Sequence, residues 1–190
     1  LHSLRRRQRQ MCIRDSNKPG IKDAIVGLGY AERPFRHFCS GELVSPQGLM
    51  ITNHHCGFSA IQEHSSVEHD YLSDGFWAYK MEDELTNPGI TASILERMED
   101  VTERVNAVLN DDMSTMEREI ALDSISSLIV KEATENTDLS GQVISMFEGN
   151  QYFLFLYTIY KDVRLVGAPP QSLGTVSYTH LRAHETSQDL

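Results

Sequence analysis

Residues 42–57 read ELVSPQGLMITNHHCG, and this stretch decides which fold class the sequence favours. Two short, largely apolar runs, 42–45 and 49–52, meet at a turn. Pro46 stands at the second turn position, where its fixed φ fits, and Gly48 stands at the fourth. The stretch therefore predicts a β-hairpin.

The pattern changes further along the chain. Residues 101–134 have a helical period, with Ser114 and Glu117 spaced as a capping box ahead of an apolar face. Residues 142–147 and 152–166 are rich in β-branched and aromatic side chains and flank a Glu-Gly-Asn-Gln turn signal, which predicts a second hairpin. The sequence as a whole predicts a mostly β fold with helices.

Length and charge limit the possible functions. The chain of 190 residues fits one domain or a piece of a larger one. The net charge is −10, but residues 1–16 carry +4 and residues 175–190 carry −1, which leaves −13 for residues 17–174. That sign argues against nucleic acid as a partner. The longest aromatic and aliphatic run, Tyr152–Tyr160, is far shorter than the roughly 20 residues of a membrane span.

Both ends of the chain differ abruptly in composition from the middle. Residues 1–16 have neither an apolar signal-peptide core nor a small-residue cleavage site, and residues 175–190 have no helical or strand period. Both resemble translated sequencing-adapter read-through. We expect these ends to be artefactual or disordered, and the folded part of the chain to be residues 17–174.

Histidine and cysteine residues crowd into one region. The cluster consists of Cys39, His54, His55, Cys56, His64 and His69. Zinc is one interpretation, but zinc sites typically space their ligands as pairs two to four residues apart. In an extended segment His54 and Cys56 would share a face while His55 points away, so adjacent ligands fit poorly.

A second interpretation assigns a catalytic role to the same residues. His55 would be a general base, and Cys56 would pair with Cys39 in a disulfide that closes a loop of 17 residues. In the chain-entropy model, a disulfide that closes such a loop adds about 3 kcal/mol to the free energy of unfolding. A disulfide also implies an oxidising compartment. Cys12 would then stay unpaired, which has no consequence if it belongs to an artefactual end.

The stretch from Phe38 to Gly57 also resembles the catalytic-His strand of a chymotrypsin-like serine protease. More specifically, it resembles the bacterial dipeptidyl-peptidase 7 and dipeptidyl-peptidase 11 family. The similarity extends over about residues 20–174 and includes AIQEHS at 60–65, GFWA at 75–78, GNQY at 149–152 and YKDVRLVGAPP at 160–170. The segment 30–37 departs from the family pattern, since it looks longer and more basic.

The resemblance implies that residues 17–174 are the amino-terminal part of a peptidase catalytic domain, a chymotrypsin-like double β-barrel with a helical segment that is present here incompletely. In that family a Ser attacks the carbonyl after the second residue of a peptide, a His takes the Ser proton, and an Asp orients the His. The matching base is His55, with His54 as the alternative. The Asp and the Ser have no counterparts in this sequence, so we expect an amino-terminal fragment that is inactive alone.

The function implied is therefore a serine-type dipeptidyl aminopeptidase acting on peptide substrates, without a cofactor, in the periplasm or cell envelope. The resemblance allows a homodimer of the full-length parent. One alternative is a non-catalytic or zinc-binding module that uses the His and Cys cluster. A further alternative is a trypsin-like endopeptidase. A long helical insertion between His55 and the catalytic Ser in the downstream gene would indicate the exopeptidase family, and its absence would indicate an endopeptidase.

Overall fold

A computed structural model describes residue 17 and residues 20–110 and 112–173 of the chain. The expected artefactual ends, 1–16 and 175–190, lie outside the described residues, as does Cys12. Within the described part, the fold is mostly β with some helices, as the sequence predicts. No helix in this part is long and apolar enough to cross a membrane.

Strands supply most of the regular structure. In chain order they are β1 (Ile25–Tyr30), β2 (Cys39–Leu43), β3 (Met50–Thr52), β4 (Phe76–Trp77), β5 (Leu85–Thr86), β6 (Ile90–Asp100), β7 (Ser140–Met146), β8 (Gln151–Tyr160), β9 (Arg164–Leu165) and β10 (Gly167–Ala168). The α-helices are α1 (His54–His64), α2 (Tyr71–Asp74), α3 (Thr102–Asn106) and α4 (Thr115–Thr134). Short 3₁₀ turns occupy Ile21–Ala24 and Met81–Asp83.

Six strands form one sheet in the order β3-β2-β1-β6-β8-β7. Among the described residues this sheet has two free edges, β3 and β7, and does not close on itself. Two further pairs, β4 with β10 and β5 with β9, are short antiparallel ladders. The mostly β prediction is thus confirmed, whereas a closed barrel is not seen in this part of the chain.

The chain divides into two compact units. One contains the described residues up to Ile25 together with Ser93–Ile159, and the other contains Val26–Ala92 and the described residues from Tyr160 onward. The second unit carries the whole His and Cys cluster. Its buried apolar side chains are Val26, Leu28, Ala60, Ile61 and Ala168.

The first unit has its core between α4 and the hairpin of β7 and β8. The central side chains are Val101, Val105, Ile129, Tyr152, Leu154 and Leu156. Strand β8 is buried from Tyr152 to Tyr157, on both of its faces, and its two edges pair with β6 and β7. A continuous apolar run is what an interior strand requires, since neither face meets water.

Both predicted hairpins are confirmed. Strands β2 and β3 pair antiparallel with Glu42 opposite Ile51, and β7 and β8 pair with Val143 opposite Leu154. The predicted capping box also forms, because the Ser114 side chain accepts from the Glu117 backbone N–H at the start of α4. The strands β2 and β8 end earlier than predicted.

Candidate active site

The site begins at the β2 and β3 hairpin, whose two strands lie close together at its open end. The Thr52 hydroxyl donates to the carbonyl oxygen of Ser40 at 2.6 Å. Gly41 lies opposite Thr52, and a Cβ there would stand 2.8 Å from the carbonyl oxygen of Ile51. Glycine at this position therefore allows the two strands to lie close together.

The chain turns from β3 directly into α1 at Asn53. Asn53 is extended (φ −68°, ψ 144°), and its carbonyl accepts from the Cys56 backbone N–H at 2.9 Å, which starts the helix. The expectation of an extended segment through residues 54–56 is wrong. Successive side chains are separated by about 100° in a helix and by 180° in a strand. His54 and Cys56 therefore do not share a face in the way that a strand would require.

The helix brings three of the predicted residues together. The ligand atoms of Cys39, His55 and Cys56 all lie within 4.8 Å of one another. Cys39 and Cys56 are joined by a disulfide, with their Cα atoms 5.9 Å apart. The disulfide links the first turn of α1 to β2, and the exposed imidazole of His55 lies beside the disulfide.

The two adjacent histidines differ in environment. His55 is exposed, whereas His54 is half-buried, and its Nε2 is buried without a hydrogen-bond partner among the residues that the structure describes. An exposed imidazole can exchange a proton with a substrate or a nucleophile, and a buried one cannot do so without a rearrangement. Of the two, His55 has the accessibility that a general base requires.

The other two histidines of the cluster lie elsewhere. His64, at the last turn of α1, places its Nε2 3.2 Å from the side-chain oxygen of Asn87. His69 is exposed, and its ring stacks on Tyr71 with the centroids 6.1 Å apart. The six residues that cluster in the sequence therefore lie in three places in the structure: around the start of α1, at the contact between His64 and Asn87, and at the stacking of His69 on Tyr71.

Asn87 was not predicted from the sequence as part of the site. This residue is only 9% exposed and forms several hydrogen bonds, yet it lies in an Asn-Pro-Gly run that indicates nothing more than a turn. A polar residue inside a turn signal is usually on the surface, so nothing local marks it as buried.

The approach to β2, residues 30–37, folds back on its neighbours. Tyr30 stacks on Phe38 with ring centroids 4.8 Å apart, and the Phe38 backbone N–H donates to the carbonyl of Leu28 at 2.8 Å. The His37 ring occupies the space beside Gly27, since a Cβ on Gly27 would lie 2.6 Å from the ring. Burial lowers the pKa of His37 below its ordinary value, and this effect exceeds the opposing influence of the Pro34 backbone.

Charged groups near β9 are paired. The Arg164 guanidinium donates to the Asp162 carboxylate at 2.7 Å and lies 3.7 Å from Glu84. The hydrogen bonds from Arg164 lower the pKa of Asp162, and the same pair raises the pKa of Arg164. Both side chains are exposed, so the pairing orders the surface without contributing much to stability.

The site thus consists of a hairpin, an exposed histidine at the start of the helix that follows, and a disulfide from that helix to the first strand of the hairpin. Comparison with known proteins identifies the class of protein to which this arrangement belongs. The sequence model of the family described as Peptidase S46 matches residues 10–176. The chain belongs to the Peptidase S46 family.

Named relatives support the assignment. The chain is 42% identical over 168 residues to dipeptidyl-peptidase 7 of Phocaeicola vulgatus, a match that covers 85% of this chain and 22% of the relative. It is also 42% identical over 158 residues to the Asp/Glu-specific dipeptidyl-peptidase of Flavobacterium psychrophilum, covering 83% of this chain and 21% of the relative.

A solved structure has the same fold over most of the chain. DPP11 of Porphyromonas endodontalis, in complex with the dipeptide Arg-Glu, matches with a TM-score of 0.69 and 40% identity, covering 83% of this chain and 22% of that one. The chain therefore spans about a fifth of the length of the relatives it matches.

Proposed function

We propose that this chain is the segment of a serine-type dipeptidyl aminopeptidase that supplies the general base, and that His55 is that base. The observation that carries the proposal is the exposed His55, placed beside the Cys39–Cys56 disulfide at the start of α1, in a chain of the Peptidase S46 family. The relatives named dipeptidyl-peptidase supply the reaction class.

In the proposed reaction, a Ser hydroxyl contributed by the rest of the full-length polypeptide attacks the carbonyl carbon after the second residue of a peptide. The His55 imidazole takes the hydroxyl proton as the new C–O bond forms, and then gives it to the leaving amine as the C–N bond breaks. Water then repeats the sequence on the acyl-enzyme and releases the dipeptide. An Asp of the same polypeptide would hold the imidazole in the required orientation.

Because the catalytic Ser and Asp have no counterparts in the 190 residues, we expect no peptidase activity from these residues alone. We further propose that the segment forms part of a chymotrypsin-like double barrel in the full-length protein. The β2 and β3 hairpin that leads into a histidine followed by a disulfide cysteine supports this assignment.

The disulfide also supports a proposed location in the periplasm or cell envelope, since disulfides persist in oxidising compartments. The zinc-binding alternative has less support. Both sulfur atoms are bonded to each other, and a zinc ion binds thiolates, so the oxidised site offers only the His55 nitrogen from this group.

The testing experiment uses the full-length polypeptide, recovered by sequencing the source DNA beyond Gly174. The purified protein is given dipeptide substrates with a fluorescent leaving group, with acidic and with hydrophobic side chains before the cleaved bond. We expect release from substrates with a free amino terminus and none from the same substrates with an acetylated one. Equal cleavage of both would indicate an endopeptidase, and no cleavage of any substrate would contradict the proposal.

A further inference from the structure

The helix that bears His55 is held at both ends. At its first turn, the disulfide joins Cys56 to Cys39. At its last turn, His64 contacts Asn87 through the 3.2 Å separation of Nε2 and Oδ1. His64 lies nine positions after His55, which is about 14 Å along a helix. The contact is therefore far from the proposed chemistry but on the same rigid element.

Asn87 is well suited to hold this contact, because its own position is determined by several bonds. Its side-chain Nδ2 donates to the carbonyl oxygens of Leu85 and Val163, at 3.3 Å each. Its backbone N–H donates to the Val163 carbonyl at 3.0 Å, and its carbonyl accepts from the Ile90 N–H at 3.2 Å. The residue thereby joins the end of β5 to the segment that precedes β9.

These bonds also determine the direction of the contact to His64. The Asn87 amide nitrogen faces two carbonyl oxygens, so the amide oxygen must face His64. An amide oxygen can only accept a hydrogen bond, so the His64 Nε2 carries the proton and donates it. A side chain at position 64 must therefore both reach Asn87 and present an N–H group.

We propose that His64 and Asn87 form a positioning pair that orients α1, and with it His55, for the peptidase reaction. This inference rests on the proposed function. The disulfide holds the first turn of the helix near β2, and the buried Ala60 and Ile61 pack its middle, but neither bonds the last turn. The bond between His64 and Asn87 holds that turn, and displacements of about 1 Å at a reacting group can cost on the order of a hundredfold in rate.

The test compares three variants of the full-length protein, two with a substitution at His64 and one with a substitution at His69. His64→Leu removes the donor, His64→Gln keeps an N–H donor of suitable length, and His69→Leu is a matched control at an exposed histidine in the same region. We expect kcat to fall about tenfold in His64→Leu with KM within about twofold. His64→Gln should keep kcat within about threefold, and His69→Leu should match the unaltered protein.

A second measurement reports on the helix without using activity. Amide hydrogen exchange of residues 56–64, followed by mass spectrometry, should speed up in His64→Leu and stay unchanged in His64→Gln and His69→Leu. If His64→Leu does not fold, His64→Asn replaces it, because its shorter amide does not reach Asn87. The same loss of kcat and faster exchange are then expected relative to His64→Gln.

The outcomes separate this inference from the proposed function. Faster exchange with an unchanged kcat would show a purely structural contact and overturn the positioning role. Unchanged exchange in His64→Leu or His64→Asn would overturn the contact itself. A full-length protein without any dipeptide-releasing activity would contradict the proposed function, while the exchange experiment would still test whether the pair holds α1.

Discussion

Cys39 on β2 and Cys56 in the first turn of α1 are joined by a disulfide, with their Cα atoms 5.9 Å apart. The bridge closes a loop of 17 residues that contains the whole β2 and β3 hairpin. It also joins the residue that directly follows His55 to the strand before the turn. The position of the proposed base therefore depends on a covalent bond as well as on packing.

Removal of this bridge should loosen the hairpin and the helix together. In the full-length protein, the double variant Cys39→Ser/Cys56→Ser should lower the free energy of opening of β2 and α1 by about 3 kcal/mol, because a loop of this size is no longer constrained when open. Amide hydrogen exchange of the two elements measures this change. A dithiol reductant should produce the same change in the unaltered protein and no further change in the double variant.

The two adjacent histidines should differ sharply in their contribution to activity. His55→Ala in the full-length protein should lower kcat by at least about a thousandfold, since the base is lost. His54→Ala should stay within about tenfold, because His54 is half-buried with its Nε2 enclosed. Steady-state kinetics on a dipeptide substrate measure both. Activity that survives in His55→Ala but not in His54→Ala would reverse the assignment.

Gly75 should be intolerant of any side chain. Its φ is +80° with ψ at 169°, a region that only glycine readily adopts, and a Cβ would stand 2.9 Å from the carbonyl oxygen of Ala168. Gly89 also has a positive φ, of +90°, but no atom lies near where its Cβ would be. Gly75→Ala should thus destabilise the β4 and β10 pair by roughly 1–3 kcal/mol more than Gly89→Ala does.

Hydrogen exchange of residues 71–78 in the two glycine variants provides the comparison. Both variants introduce a side chain at a positive φ, so the difference between them reports the steric contacts with Ala168 and Pro170 together with the strain of the extended ψ at Gly75. Equal effects of the two substitutions would mean that the backbone near Ala168 yields to the added methyl group.

The capping box of α4 should make the start of this helix sensitive to acid. The Ser114 hydroxyl donates to the Glu117 carboxylate at 2.7 Å and the Ser114 backbone N–H donates to it at 2.9 Å, and these bonds lower the pKa of Glu117 from its ordinary value of 4.5. A lowered folded-state pKa means that the carboxylate stabilises the helix above pH 4.5. This stabilisation is lost as the pH falls through the folded-state value.

The exchange rate of the first turn of α4, corrected for its intrinsic pH dependence, checks this prediction. In the unaltered protein, the amides of the first turn of α4 should lose protection from exchange below about pH 4.5. In Glu117→Gln the same amides should be less protected at neutral pH, and their protection should not depend on acid in this way. Ser114→Ala should cost about 1 kcal/mol at neutral pH, since the backbone N–H at the third helical position loses its acceptor. An acid transition that persists in Glu117→Gln would assign it to another group.

Several elements could be predicted from the sequence because their signals are local. The hairpin around Pro46 and Gly48 follows from turn chemistry, and the start of α4 follows from Ser114 and Glu117. Strand β6 could not be predicted in this way. Its second half includes Glu96 and Arg97, which do not fit an alternating apolar pattern, and its strand conformation is decided by its neighbours β1 and β8.

Helix α1 shows why the site was only partly predictable. Its sequence, HHCGFSAIQEH, includes a glycine and has few apolar residues, of which Ala60 and Ile61 are the buried ones. A helix with so weak a periodic signal forms because other parts of the chain cover one side of it and because a disulfide and the bond to Asn87 hold its ends. None of these partners is a near neighbour in sequence.

The sequence by itself determined the turns, the helix cap, the apolar strands of the core and the motif by which the family is recognised, since each depends on residues a few positions apart. Only the tertiary structure decided which histidine is exposed beside the disulfide, which one has its Nε2 enclosed and which one bonds to Asn87. The physical reason is that burial and hydrogen bonding of a side chain depend on groups brought near it from distant parts of the chain.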